Sequence, residues 1–126
     1  MIRTEGYKVI PATIVHRLTG KITSEDVESG IEEAANTFHV MDDRHGKLNL
    51  IVDTRGLLFA DLKAHETWSR WLKTNSTMKR KVNFVVIVTD DSPNARAEKE
   101  GMETEKMKFF LDFDEGVSWL RNKLAV

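Results

Sequence analysis

The chain has 126 residues, 40% hydrophobic and 31% charged, with 19 basic against 20 acidic side chains for a net charge of −1. That length and balance fit one domain spanning 1–126 with a single core, and they give no electrostatic case for nucleic acid or an anionic membrane. Cysteine is absent, which excludes disulfides, iron–sulfur clusters and thiol catalysis and fits a reducing compartment.

The N-terminus, MIRTEGYKVI, has no apolar h-region. No run approaches the ~18–20 apolar residues of a membrane span. A cytoplasmic protein is expected. Tyr7–Ile10 and Thr13–Leu18 read as two short strands around Pro11–Ala12, where a proline suits a bend or an edge. Gly20 ends the second. Thr23 offers a capping hydroxyl, and Glu25 and Asp26 follow in the first turn, near the positive end of a helix dipole. Val27, Ile31, Ala34 and Phe38 then step along one helical face. Gly30 weakens that helix by roughly 1 kcal/mol relative to alanine, which points to close packing. The helix should end near Phe38–Met41, and Asp42–Lys47 should be a polar turn with Gly46.

Leu48–Asp53, LNLIVD, reads as a buried central strand. A loop over Thr54–Asp61 leads to a tryptophan-rich helix from about Asp61 to Lys73, with Leu62, Ala64, His65, Trp68, Trp71 and Leu72 at helical spacings. Thr74–Lys81 is a polar, basic connection. Val82–Thr89, VNFVVIVT, has little alternation and should be covered on both faces. Ser92–Asn94 reads as a turn, and Ala95–Glu105 as a short exposed helix broken at Gly101. Met107–Leu111 is the last strand. Asp112, with Glu115 three residues on, caps a terminal helix whose stripe is Val117, Leu120 and Leu124, with Trp119 beside it. The order β-β-α-β-α-β-α-β-α implies an α/β fold with right-handed crossovers and a small mixed, mostly parallel β-sheet wound with helices.

With these segments in place, the chain resembles the SpoIIAA-like family, a branch of the STAS fold. The resemblance runs from Ile14 to Leu120. It is carried by Gly20-Lys-Ile-Thr23, by LNLIVD with Phe59-Ala60-Asp61 after it, by VNFVVIVTD and by MKFFLDFDEGVSWL over Met107–Leu120. It implies a β-α superhelix. It also implies comparison with anti-sigma-factor antagonists of the STAS group, in which a kinase phosphorylates the first serine of an Asp-Ser-Ser-Gly-type motif. The matching segment here is Asp61-Leu62-Lys63-Ala64. Leu62 stands where the serine would be, so no hydroxyl is there to take the phosphate charge that drives that switch. The branch is also similar in fold to the CRAL-TRIO lipid-binding group, which brings an apolar ligand into consideration.

Asp53, Asp90 and Asp91 are expected at the carboxyl ends of neighbouring parallel strands, where open α/β sheets bind ligands. Carboxylates there suit Mg²⁺. No phosphate-binding glycine loop or catalytic lysine accompanies them, so loop and helix capping is the favoured role. Leu57, Leu58, Phe59, Leu62, His65, Trp68 and Trp71 mark an apolar patch or groove for a partner subunit or a hydrophobic ligand, against the alternative of a wide buried stripe. The histidines His16, His39, His45 and His65 are scattered without metal-ligand spacing and read as surface or boundary residues, His45 in a turn. Lys79-Arg80-Lys81 has no aromatic platform and reads as a solvated turn. The run Arg96–Lys108 mixes both charge signs and could act as a lid hinged at Gly101. No Gly-x-Ser-x-Gly, P-loop or dinucleotide fingerprint is present. The expected function is therefore a non-enzymatic module working through protein–protein contact as a homodimer or with another protein. A carrier of a small apolar ligand comes second, and a Mg²⁺-dependent enzyme using Asp53 and Asp90 last. No cofactor, catalytic residue or bound metal is expected.

Overall fold

The computed structural model describes residues 1–45, 47–74 and 81–125. The central sheet has the order β1 (Ile2–Gly6), β2 (Thr13–Leu18), β4 (Leu48–Asp53), β6 (Val82–Val88) and β7 (Met107–Phe110). β1 runs antiparallel to β2, and the other neighbours are parallel. The two strongest apolar runs thus lie side by side in the same direction, with Ile51 opposite Val86 and Val52 opposite Ile87. A separate two-stranded parallel ladder joins β3 (Gly20–Ile22) to β5 (Leu57–Phe59). Among the described residues the helices are α1 (Ser24–His45), α2 (Leu62–Thr74), α3 (Pro93–Met102) and α4 (Phe113–Leu124).

The period of two along β4 divides the core between two layers. Leu48, Leu50 and Val52 pack with Val27 and Phe38 of α1 and Ala64 and Trp68 of α2. Ile51 points the other way, to Val86, Val88, Val117 and Leu120. α1 and α2 therefore cover one face and α4 the other. Two glycines permit this closeness. A Cβ on Gly116 of α4 would fall 2.6 Å from Val86 Cγ1, and one on Gly30 of α1 would fall 2.6 Å from Ile2 Cγ2. The close packing expected at Gly30 is present.

Several boundaries differ from those expected. The first strand is Ile2–Gly6, and Tyr7–Ala12 is the hairpin turn. Pro11 has no N–H to give a ladder, and Ala12 adopts a left-handed φ of 55°, so the chain cannot stay extended there. The hairpin closes with Tyr7 N–H donating to Thr13 O at 2.8 Å. Gly20 ends β2 but also begins β3, and the loop after Asp53 contains β5. α1 continues to His45, so the segment expected as a turn is helical as far as His45. Thr23 and Asp26 cap its other end reciprocally: each backbone N–H donates to the other's side chain, at 2.9 and 3.1 Å. α3 starts at Pro93 with Ser92 as its cap, and Gly101 lies within it rather than breaking it. Asp112 caps α4 by accepting the Asp114 N–H at 2.9 Å. β6 and β7 each stop one residue early, at Val88 and Phe110. Gly46 and residues 75–80, which include Lys79 and Arg80, lie outside the described residues.

Candidate functional site

Parallel strands β4 and β6 deliver their carboxyl ends to one edge of the sheet, and the three expected aspartates are there. Each is already engaged. Asp53 is buried and sits in register with Arg17 across β2. Its Oδ2 accepts Arg17 Nε at 3.2 Å and Arg55 Nη2 at 2.9 Å. Its Oδ1 accepts both the backbone N–H and the Nε of Arg55, at 3.2 and 3.0 Å. Burial opposes ionisation of this carboxyl. The Arg55 hydrogen bonds, assisted by Arg17, outweigh it and hold the group below the usual carboxylate range. Both guanidiniums also lie over the Phe113 ring, at 5.5 and 5.8 Å.

Asp90 accepts the Gly56 N–H at 2.8 Å and so ties the tip of β6 to the turn after β4. That turn is closed by Leu57 N–H to Thr54 O, and Gly56 has φ of 75°, which favours glycine. Asp91 forms a two-pronged pair with Arg96 of α3, at 2.7 and 2.9 Å, and the Arg96 hydrogen bond lowers its pKa. These carboxylates organise loops and a helix start. No group of three or more acidic or histidine side chains positioned for a metal occurs among the described residues.

Beside this edge, α2 and α3 flank a cleft of about 450 Å³. Its floor and walls include Phe59, Trp68, Leu72, Met102 and Phe109, with His65 and Asp90 at polar positions. Leu57 and Leu58 line it too. Phe59 meets the His65 ring at 5.1 Å and the Trp68 ring at 5.8 Å. Trp71 is half-buried and packs against the same core as Trp68. Most of the expected aromatic surface is therefore covered. What remains open is the corner where β5 enters α2, with Leu58 63% and Leu62 69% exposed. Between them Asp61 caps α2, accepting the Ala64 N–H at 2.8 Å.

His16 corrects its sequence reading. It is 1% exposed, not a surface or boundary residue. Trp68 Nε1 donates to its Nε2 at 3.2 Å, and Thr4 Oγ1 lies 2.8 Å from its Nδ1. Indole is only a donor, so Nε2 must be the unprotonated nitrogen, and the proton sits on Nδ1, facing the Thr4 hydroxyl. The His16 ring is nearly coplanar with the Trp68 indole, at 7° with centroids 6.5 Å apart, as an in-plane N–H···N bond requires, and it lies 5.3 Å from the ring of Trp71. Burial lowers its pKa from 6.5 to about 4. One signal was available: His16 shares a strand face with Ile14 and Leu18, both fully buried.

Among the solved structures similar to this chain, three span nearly all of it. An uncharacterized protein of the DUF3478 family with a SpoIIAA-like fold, from Shewanella loihica PV-4, is 20% identical over 95% of this chain and 92% of that one, with a TM-score of 0.59. The anti-sigma factor antagonist SpoIIAA in its unphosphorylated form is 12% identical over the whole of both chains, with a TM-score of 0.64. The Bacillus cell fate determinant SpoIIAA in its phosphorylated form is 16% identical over 96% of this chain and all of that one, with a TM-score of 0.60. No family model and no curated protein matches the sequence. The α/β fold of this chain, with its mostly parallel central sheet, is thus SpoIIAA-like.

Proposed function

We propose that this SpoIIAA-like fold serves as a non-enzymatic cytoplasmic binding module that acts through protein–protein contact, with a second copy of itself as first partner. The observation that carries this reading is the exposed leucine pair at the β5–α2 corner. An exposed Leu62 stands where the resemblance to sigma-factor regulators places a phosphorylated serine, so a constant apolar contact replaces a switchable charge. β5 adds a second element. It pairs with β3 on one side only among the described residues, leaving an edge that a twofold-related β5 can meet. Self-pairing of one short edge also brings Leu58 and Leu62 of both copies together.

Sedimentation equilibrium tests this directly. The wild type should form a dimer, and the double variant Leu58→Asp, Leu62→Asp should dissociate at least about tenfold more readily. A wild type that stays monomeric at all concentrations would sink the self-association.

The α2–α3 cleft favours a second reading, a carrier of a small apolar ligand. Its volume lies in the range of small-molecule sites, and its lining combines aromatic walls with a few polar groups. Leu57, Phe59, His65, Trp68 and Trp71 belong to or support this cleft, with α3 as its cover. Native mass spectrometry of freshly purified protein separates the readings: an added mass supports the carrier, and a bare dimer supports contact alone. Asp53, Asp90 and Asp91 enter both readings as structural groups, each carboxylate tying a loop or helix start through the hydrogen bonds it accepts.

A further inference from the structure

We propose that the opposite end of the sheet holds a separate site for a small organic acid, a molecule with one anionic head and a short apolar tail. The central observation is Asn49. It interrupts the apolar run Leu48–Val52 of β4, and it is only 4% exposed. Its Oδ1 is enclosed and has no hydrogen-bond partner. Buried polar atoms are nearly always paired, and a valine here would complete the strand without leaving an orphan. The asparagine is therefore unexplained by the fold.

Asn49 lines a depression of about 550 Å³ between the β1–β2 turn and the end of α4. Because the oxygen is the enclosed atom, the amide nitrogen is the end left to face that space, as a hydrogen-bond donor. Lys47 and Arg121 line the same depression, and its lining contains no Asp or Glu. Two cations and a fixed N–H donor suit an anion. Apart from a second amide, Asn83, the rest of the wall is apolar and includes Val9, which is 54% exposed, with Pro11 and Leu124.

The backbone is shaped around the same point. Ala12 is the one non-glycine residue with positive φ among the described residues. In that conformation its carbonyl accepts the Asn49 N–H at 2.8 Å. Strain of this kind persists where the surroundings impose it and clusters at binding sites. The site lies on the α4 face of β4, away from the α2–α3 cleft and the leucine corner, so it stands or falls independently of the function proposed above.

The test is an NMR titration of the ¹⁵N-labelled full chain with hexanoate, hexanol and inorganic phosphate. Hexanoate should shift the amide signals of Ala12, Asn49 and Arg121. Hexanol, which lacks the charge, and phosphate, which lacks the tail, should each bind at least about tenfold more weakly. Arg121→Gln, at an exposed rim position, should weaken hexanoate about tenfold with an unchanged Tm. Asn49→Val should abolish the response while folding at least as stably as the wild type. No shift at millimolar hexanoate would overturn the proposal. So would equal affinity for phosphate, which marks a general anion surface, or equal affinity for hexanol, which marks a greasy hollow.

Discussion

Lowering the pH should destabilise this protein through His16 before any buried carboxylate responds. The imidazole is enclosed, accepts a hydrogen bond from Trp68, and has a folded pKa of about 4 against 6.5 when free. Above pH 6.5 both states are neutral and His16 contributes no pH dependence. Between 6.5 and about 4 the unfolded chain takes up a proton that the folded protein refuses. Stability therefore falls as pH falls through that window. Below about 4 the folded ring is charged too, and the loss stops growing. The full difference amounts to about 3 kcal/mol, of which about 2.5 kcal/mol is lost by about pH 4.5. His16→Gln keeps hydrogen-bonding capacity at the position but cannot titrate. Urea unfolding followed by tryptophan emission at about pH 7 and pH 4.5 measures the effect. The variant should start about 1–2 kcal/mol less stable, from imperfect packing and a weakened Trp68 bond, and should lose far less on acidification. Wild type and variant falling in parallel would refute the assignment of this slope to His16.

Gly116→Ala should lower the Tm by a few degrees. The new methyl would sit 2.6 Å from Val86 Cγ1, and overpacking of about 1–3 kcal/mol exceeds the ~1 kcal/mol gain in helix propensity. A higher Tm in calorimetry would show that α4 can shift freely. Asp53→Asn should cost about 1–3 kcal/mol in urea unfolding, at the low end because Arg17 and Arg55 are half-exposed. Since the Asp53 pKa is depressed, its contribution is present above the ordinary aspartate pKa and lost as pH falls below about 4; the wild type should show that acid loss and the variant should not. At a concentration where the chain is monomeric, Leu62→Asp alone should change its stability by no more than about 0.5 kcal/mol, because the side chain is largely in water. A large drop would mean that the corner is part of the core.

The parts of the fold legible in sequence were those written in one continuous stretch. Leu48–Asp53 and Val82–Val88 are dense in branched apolar residues; the first is buried throughout, as a strand covered on both faces should be, whereas Val82–Val85 at the start of the second are only half-buried. The short strands carry no such mark. IRTEG, GKI and LLF become strands because of distant partners, Ile2 opposite Leu18 and Gly20 opposite Leu57. The same holds at the candidate site. Asp53 could be placed at a strand end, but its partner Arg17 lies 36 positions away and becomes a neighbour only through β2–β4 pairing. His16 was read as ordinary because its environment is supplied by Thr4 and by Trp68, 52 positions on. α1 runs past its expected end to His45 because the polar stretch Asp42–His45 contains neither glycine nor proline to break a helix.

The three-residue ladder of β3 and β5 has a mechanical meaning. Gly20 N–H donates to Gly56 O and Ala60 N–H to Ile22 O, so the strip leading into α1 is stitched to the strip leading into α2. A molecule that grips Leu58 therefore pulls on both helix entrances together. Slowed amide exchange at Ile22 and Ala60 would register an event at the surface that touches neither.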